Sequence, residues 1–241
     1  MPTAFQIFAV ERFPESARFK TDEQLQMEWE SEHNLEPTVT SVERASNNLP
    51  FKLTRYDSEH DFLFQLQYPG RAKGMSFREF ITPYKFPIFL GDHDKEIGFR
   101  PLLVRTKKKV AGDFVQRLNK HIREFDVRPI RMDFILLRPR IEMIRGAWFG
   151  AMRQPNLRST GVFGHHVDQS EEFQHAESVG ELRNLQIEIV QDDVTHTVML
   201  GADGGFVLYN AYRTHEEEIE VVYPSLRGLL NGCLSPQEFT K

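Results

Sequence analysis

The chain has 241 residues, of which 40% are hydrophobic and 27% charged, and its formal net charge is −5 at pH 7. This composition is typical of a globular protein and excludes a mainly disordered chain. The single cysteine, Cys233, excludes a disulfide framework and a cysteine-based zinc site. No segment approaches the roughly 18–20 apolar residues of a membrane span, and no signal peptide is recognisable, so we expect a cytoplasmic protein.

Charge is distributed unevenly along the chain. Residues 100–158, the basic segment, contain fifteen Lys or Arg and five acids, whereas residues 165–220, the acidic segment, contain two Arg and thirteen acids. Two interpretations are open. The two segments neutralise each other in the fold, or the basic segment binds a polyanion while the acidic segment keeps the chain soluble.

The N-terminal residues predict a strand followed by a helix. Five of the six residues 5–10 are apolar, which predicts a strand buried on both faces and central in a sheet. Thr21 and Gln24 have the spacing of a capping box, and apolar residues four apart follow them. A helix is therefore expected from Thr21 to His33.

A hairpin and a boundary are expected next. Residues 51–56 and 62–68 predict two strands joined by a turn at residues 57–61. Residues 69–98 are rich in Pro, Gly and charge, which is typical of a boundary between domains. We therefore expect two parts, an N-terminal α+β part at residues 1–98 and a C-terminal α+β part at residues 99–241.

The middle of the chain predicts a basic β-α-β unit. Residues 102–105 form a short apolar strand, and Val110, Phe114 and Leu118 then recur at the four-residue spacing of an amphipathic helix. Residues 130–136 alternate between apolar and charged side chains, as in a strand. A crossover of this length allows the two strands to be parallel in one sheet.

The C-terminal third predicts further strands, with the strongest turn signal at Asp203-Gly-Gly. The elements expected there are an acidic helix at 168–177 with Asp168 as its N-cap, and strands at 185–189, 195–200, 206–209 and 219–223. The predicted fold class is α+β, with mostly antiparallel sheets and a few helices that include the basic β-α-β unit.

The basic β-α-β unit is the first candidate site. Three consecutive lysines precede the predicted helix, whose N-terminal N–H groups already favour anions, and Arg-Pro-Arg at 138–140 is expected at a strand end. Lysine and arginine in such positions bind phosphate oxygens. The residues predicted to contact nucleic acid are Arg105, Lys107, Lys108, Lys109, Arg117, Lys120, Arg138, Arg140 and Arg145.

Two other groups of residues have the chemistry of metal sites. His165, His166 and Asp168 could hold a divalent metal that activates water, although His and Asp are also common in exposed loops and caps. A set of acids at Glu188, Asp192, Asp193 and Asp203 could bind Mg²⁺ beside a phosphate, but tight turns favour the same residues. Neither group outweighs its structural explanation, so no metal and no other cofactor is predicted.

A short segment resembles a known family. Val162-Phe-Gly164, then Gly180-Glu-Leu182 and the strand at residues 185–189, are similar to the RexA-type phage-exclusion proteins. The resemblance lies within residues 162–189. It implies a DNA-binding, non-enzymatic component of antiviral defence that dimerises and signals to a partner.

The favoured function is binding of DNA or RNA through phosphate contacts of the basic segment, without enzymatic activity. One alternative is a metal-dependent nuclease or hydrolase that uses His165, His166 and Asp168. Another is a protein-interaction or scaffold subunit, whose charged faces bind partners or copies of the same chain. A homo-oligomer or a protein partner is expected in either binding role.

Overall fold

The computed structural model describes residues 2–29, 32–46, 49–72, 75–154 and 156–239, which form thirteen β-strands and four α-helices. The strands are β1 (Thr3–Arg12), β2 (Arg18–Trp29), β3 (Glu32–Ser46), β4 (Thr54–Ala72), β5 (Met75–Leu90), β6 (Arg100–Val104), β7 (Asp126–Met132), β8 (Met143–Gln154), β9 (Leu157–Phe163), β10 (Glu181–Gln191), β11 (Val194–Gly201), β12 (Gly205–Leu208) and β13 (Leu234–Pro236). The helices are α1 (Lys108–His121), α2 (Phe134–Leu137), α3 (Glu171–Val179) and α4 (His215–Arg227). The predicted α+β class is confirmed.

One large antiparallel sheet organises the fold, and β1 lies at its centre. The strand order is β2-β3-β4-β5-β6-β1-β12-β11-β10-β8-β9, and β7 and β13 join beside β1. Along one edge β1 pairs with β6, and along the other it pairs first with β12 and then with β7. Every residue from Phe5 to Val10 is buried. The prediction of a central strand at residues 5–10 is therefore confirmed.

The two faces of β1 belong to two different hydrophobic cores. Phe5, Ile7 and Ala9 pack with the C-terminal strands and with α3 and α4. Phe8 and Val10 pack on the opposite face against α1 and the strands near it. Alternation along one strand thus places the helices on both sides of the sheet.

The helix predicted from Thr21 to His33 is wrong, because the described residues of this range, 21–29 and 32–33, belong to the paired strands β2 and β3. Burial in β2 has a period of two: Thr21 and Met27 are buried, while Gln24 and Gln26 are exposed. This alternation fits a strand with one face covered, whereas the capping-box spacing at Thr21 has no structural role.

The hairpin turn predicted at residues 57–61 is also wrong. β4 continues through these residues, and it pairs with β5 from Thr54–Leu90 to Ala72–Met75. The Pro- and Gly-containing residues 69–98, interpreted as a boundary, include the end of β4 and all of β5. On either side of residue 98, β5 and β6 pair with each other, so one sheet connects the two predicted parts.

The β-α-β prediction is confirmed for β6, α1 and β7. Both strands pair antiparallel with β1, one on each side, so they are parallel to each other with β1 between them. The second strand begins and ends four residues earlier than predicted, and it ends at Met132 because the Asp133 carboxylate accepts hydrogen bonds from the backbone of Ile135 and Leu136 and begins α2. Residues 138–140 consequently form a 3₁₀ turn and not a strand end.

The C-terminal hairpins of β10, β11 and β12 are confirmed, but one strand prediction and one helix N-cap need correction. Residues 219–223, predicted as a strand, lie in α4, which begins where the Thr214 hydroxyl accepts a hydrogen bond from Glu217 N. The acidic helix α3 has Ser170 as its N-cap, because this hydroxyl accepts a bond from Phe173 N. Asp168 lies before that cap.

We predict that Leu118→Ala lowers the free energy of unfolding by about 2–5 kcal/mol, because Leu118 is fully buried between α1 and the sheet. Gln116→Ala, on the exposed face of the same helix, provides the control and should change stability by less than about 0.5 kcal/mol. Urea denaturation of the three proteins measures both effects. Equal midpoints for wild type and Leu118→Ala would contradict the packing of α1.

Candidate functional site

Four of the nine predicted phosphate-binding residues form ion pairs with the acidic segment. The Arg105 guanidinium donates two hydrogen bonds to Glu218, at 2.6 and 2.8 Å, and the Glu218 side chain is only 3% exposed. Arg138 pairs with Glu177 at 2.9 Å and Arg145 with Glu188 at 2.7 Å. The Lys108 ammonium contacts the Asp203 carboxylate. Neutralisation of the basic segment by the acidic one is therefore a real feature of this fold.

Two further predicted residues, Arg117 and Lys120, bind acids on the α1 side of the sheet. Arg117 is 5% exposed and contacts Asp113 of its own helix at 3.3 Å and Glu23 of β2 at 3.5 Å. Lys120 donates a hydrogen bond to the same Glu23 carboxylate, which lowers the pKa of that carboxyl group. Because the Arg117 guanidinium is buried and bound by two carboxylates, it is not available to a ligand.

A buried histidine extends this network. His60 is fully buried, with its Nδ1 at 2.8 Å from the Thr40 hydroxyl and its Nε2 at 2.9 Å from the Asp113 carboxylate. The order hydroxyl, imidazole, carboxylate resembles a catalytic triad. Thr40 is also fully buried, however, so its hydroxyl cannot reach a substrate. These three side chains connect β3 and β4 to α1 and have a structural role.

Of the three remaining predicted cations, Lys107 and Lys109 lie at the N-terminus of α1, and Arg140 lies in the 3₁₀ turn at residues 138–140. Lys107 and Lys109 are exposed, and no ion pair of either is found among the described residues. Arg140 donates a hydrogen bond to the Asn231 carbonyl oxygen. The nine residues therefore do not form one continuous basic face, and only Lys107 and Lys109 combine exposure with the absence of a described partner.

Arg131 of β7 is a further exposed cation near the lysines at the start of α1. β6 and β7 run in the same direction, so the end of β7 lies at the sheet edge where α1 begins. Val127 of β7 packs in the core beneath α1, and Arg131, four residues later, projects to the same face and is exposed. We define the α1 edge as Lys107, Lys108, Lys109 and Arg131.

The histidine cluster is not arranged as a metal site. His165 contacts the Arg145 guanidinium, whose positive charge opposes a metal cation, and His166 has a left-handed backbone with φ of 49°. In the described part of the chain, no three His, Cys, Asp or Glu side chains converge to hold a metal ion. His165, His166 and Asp168 thus have no geometry in common with a hydrolytic centre.

The acid set has turn and ion-pair roles. Asp192 and Asp193 have φ of 49° and 60°, which are the values required by the tight turn between β10 and β11. Glu188 is paired with Arg145 and Asp203 with Lys108. The interpretation of these acids as turn residues and ion-pair partners accounts for all four.

A cleft of about 510 Å³ beside α4 contains residues that the sequence analysis did not select. His196 is 8% exposed, and its Nδ1 lies 2.7 Å from the Tyr212 hydroxyl. Phe51, with a left-handed φ of 61°, forms part of the wall and stacks on Tyr223. The cleft is rimmed by the carboxylates of Asp192, Glu217 and Glu220, and none of its described lining residues is Lys or Arg, so its charge opposes a phosphate.

Burial changes the ionisation of groups at and beside this cleft. It lowers the pKa of His196, and it also lowers that of His215, where the Arg105 charge adds to the effect. Burial together with the Glu218 charge raises the pKa of Tyr212 to about 12. Both histidines are therefore neutral at physiological pH, and Tyr212 is a protonated hydrogen-bonding group.

No protein-family model matches the chain, and no curated protein is similar to it. Among the described residues, no helix is both long and apolar enough to cross a bilayer. The resemblance to RexA-type proteins stays a prediction, and the interpretation of the site depends on the geometry of the chain itself.

We predict that the protein loses stability between pH 7 and pH 5 because His196 and His215 are buried in neutral form. Their pKa values are lower in the folded chain than the ordinary 6.5, so below about pH 6.5 the unfolded chain takes up protons that the folded chain does not. Glu23 has linkage of the same sign in a lower pH window: its pKa is lowered from 4.5, so its contribution to stability is also lost as pH falls, but only at more acidic pH.

The measurement is the urea midpoint as a function of pH for wild type and for the His196→Gln/His215→Gln double variant. The variant should have a flatter profile between pH 7 and pH 5, even if it is less stable at pH 7. Profiles of equal slope would contradict the assignment of this pH window to the two histidines.

Proposed function

We propose that this chain binds nucleic acid through phosphate contacts at the α1 edge and has no enzymatic activity. The observation that carries the proposal is the exposure of Lys107 and Lys109, both without an ion pair among the described residues, beside an uncapped helix N-terminus. This surface is a small part of the basic segment predicted from the sequence. Arg105, Arg117, Arg138 and Arg145 are outside it because carboxylates already bind them.

The N-terminus of α1 supports anion binding in two ways. Lys107 is the N-cap residue, no side chain accepts a hydrogen bond from the first turn, and that turn contains no acidic residue. The first N–H groups of a helix have no intrahelical acceptor, and the helix dipole adds a partial positive charge there. Backbone donors and flanking ammonium groups together are the usual surroundings of a bound phosphate.

Arg131 extends this surface along the backbone of a polyanion. Its guanidinium can bind two phosphate oxygens at once, whereas the lysines act as point charges. The Lys108–Asp203 contact is exposed, with the two side chains 68% and 44% accessible, so a phosphate can replace the carboxylate at little energetic cost. The α1 edge thus supplies up to four cations for a ligand that carries several negative charges.

Contacts of this kind determine the character of the binding. Phosphate contacts contain no information on base sequence, so the affinity should be similar for different sequences and should fall steeply with salt. The resemblance to RexA-type proteins makes DNA the polymer to test first. A role in antiviral defence remains part of the proposal and depends on that resemblance alone.

We predict that Lys107→Ala/Lys109→Ala/Arg131→Ala reduces the slope of log K against log[salt] for duplex DNA by up to about 3 units. Each phosphate contact contributes about 0.9 to that slope through counterion release. Affinity should fall equally for unrelated sequences. Fluorescence anisotropy with labelled duplexes at several salt concentrations measures both quantities.

The control variant is Lys95→Ala/Arg123→Ala/Arg213→Ala, which removes the same charge from exposed positions outside the α1 edge. Its slope of log K against log[salt] should differ from that of the wild type by no more than about 0.9, the contribution of one phosphate contact. An equal loss in both variants would mean that net charge and not this surface governs binding. Absence of wild-type binding at low salt would contradict the proposed function.

The alternative of a metal-dependent nuclease gives a different result in the same samples. We expect DNA and RNA to stay intact in the presence of Mg²⁺ or Mn²⁺, since His165, His166 and Asp168 do not converge. Cleavage that disappears in His166→Ala would establish the alternative.

A further inference from the structure

The strand β9 is an open edge of the large sheet. It pairs with β8 on one side and, among the described residues, with no strand on the other. Its side chains are mostly accessible: Phe163 is 61% exposed and Leu157 37%. Proteins usually protect such an edge with charges, proline or a covering segment, because its free backbone groups pair readily with another strand.

The backbone groups that remain free can be identified from the pairing with β8. Gly164 N donates to the Arg145 carbonyl oxygen at 3.0 Å, so even-numbered residues at this end of the strand direct their backbone groups toward β8. Ser159, Gly161 and Phe163 alternate with them and direct their N–H and C=O groups outward. These groups form an unused hydrogen-bonding edge.

We propose that two copies of this chain dimerise by antiparallel pairing of their β9 strands about a two-fold axis at Thr160. In this register Ser159 lies opposite Gly161 of the second copy, and Leu157 lies opposite Phe163. The pairs with outward backbone groups then exchange hydrogen bonds across the axis. One continuous sheet would cross the dimer, with the same surface used by both copies.

Apolar side chains support this register. The Phe163 ring covers Gly146 and Gly161 and meets the Trp148 ring edge-on, with 4.8 Å between the ring centroids. Its outer face is left to solvent. Leu157 of the second copy would cover that face, and two such contacts would form per dimer.

Charge complementarity favours a second copy over an unrelated strand. Glu172 of α3 lines the groove beside Thr160 and Val162, is exposed, and has no ion pair among the described residues. Arg158, at the other end of β9, is equally exposed and has no described partner. The two-fold axis places Arg158 of one copy opposite Val162 of the other, and therefore beside its Glu172. The dimer contains this pair twice.

The first experiment uses charge reversal. Wild type should elute at twice the chain mass in size-exclusion chromatography with light scattering, whereas Arg158→Glu and Glu172→Lys should each shift to the monomer. An equimolar mixture of the two variants should dimerise again, because both cross-pairs then join opposite charges. Wild type that stays monomeric, or a mixture that stays monomeric, would overturn the proposal.

The second experiment places a cysteine on the two-fold axis. Thr160 and its symmetry mate form a non-hydrogen-bonded pair, whose Cα atoms are about 4.5 Å apart, within the range of a disulfide. Thr160→Cys should oxidise rapidly to a covalent dimer, whereas Ala211→Cys, at an exposed position outside β9, should not; the native Cys233 is buried. Equal oxidation of both variants would contradict the register.

None of the substituted residues belongs to the α1 edge. A failure of the dimer proposal therefore leaves the nucleic-acid proposal open, and a failure of the nucleic-acid proposal leaves the dimer proposal open.

Discussion

The constraint on which the rest of the structure depends is the complete enclosure of β1. Its residues from Phe5 to Val10 are buried on both faces, and both of its edges are hydrogen-bonded. Along one edge, the partner of β1 changes from β12 to β7. Gly204 lies between these two partners, and its carbonyl oxygen accepts a hydrogen bond from Ile7 N. Gly204 has φ of 84°, and a Cβ there would approach Ile130 Cγ1 within 2.5 Å, so only glycine fits. The neighbouring Asp203 is thereby held against Lys108, beside the start of α1.

Much of this central part follows from local sequence patterns. The mostly apolar residues 5–10 of β1 and the four-residue spacing of Phe114 and Leu118 have one simple interpretation each, and both are confirmed. Helices and strands were confused where the same residues fit both a helical spacing and the two-residue period of a strand. The spacing of Thr21 and Gln24 is that of a capping box, yet the strand-like period of two in β2 is the pattern that the fold uses; Thr214 and Glu217 have the same spacing and do begin a helix. Local spacing cannot decide such cases, because tertiary pairing determines which pattern is used.

The candidate site was less predictable than the fold. The excess of cations in residues 100–158 is evident from the sequence, but the choice between a free and a neutralised cation depends on contacts between distant residues. Arg105 and Glu218 are 113 positions apart, and no local signal connects them. The His196–Tyr212 pair was missed for a related reason, since β11 and the segment before α4 each contribute one ordinary polar residue. Alternation along β7 could have selected Arg131 as a neighbour of the lysines, given the predicted parallel strands.

Binding of a polyanion at the α1 edge is the central claim, and amide NMR tests it most directly. Titration of the ¹⁵N-labelled protein with a short DNA duplex reports on each backbone N–H group separately. We predict that the largest shifts occur at Lys108, Lys109 and Val110, whose N–H groups begin α1, and that the shifts diminish as salt is added. Shifts confined to the loop at His165 and His166, or no shifts at low salt, would contradict the account.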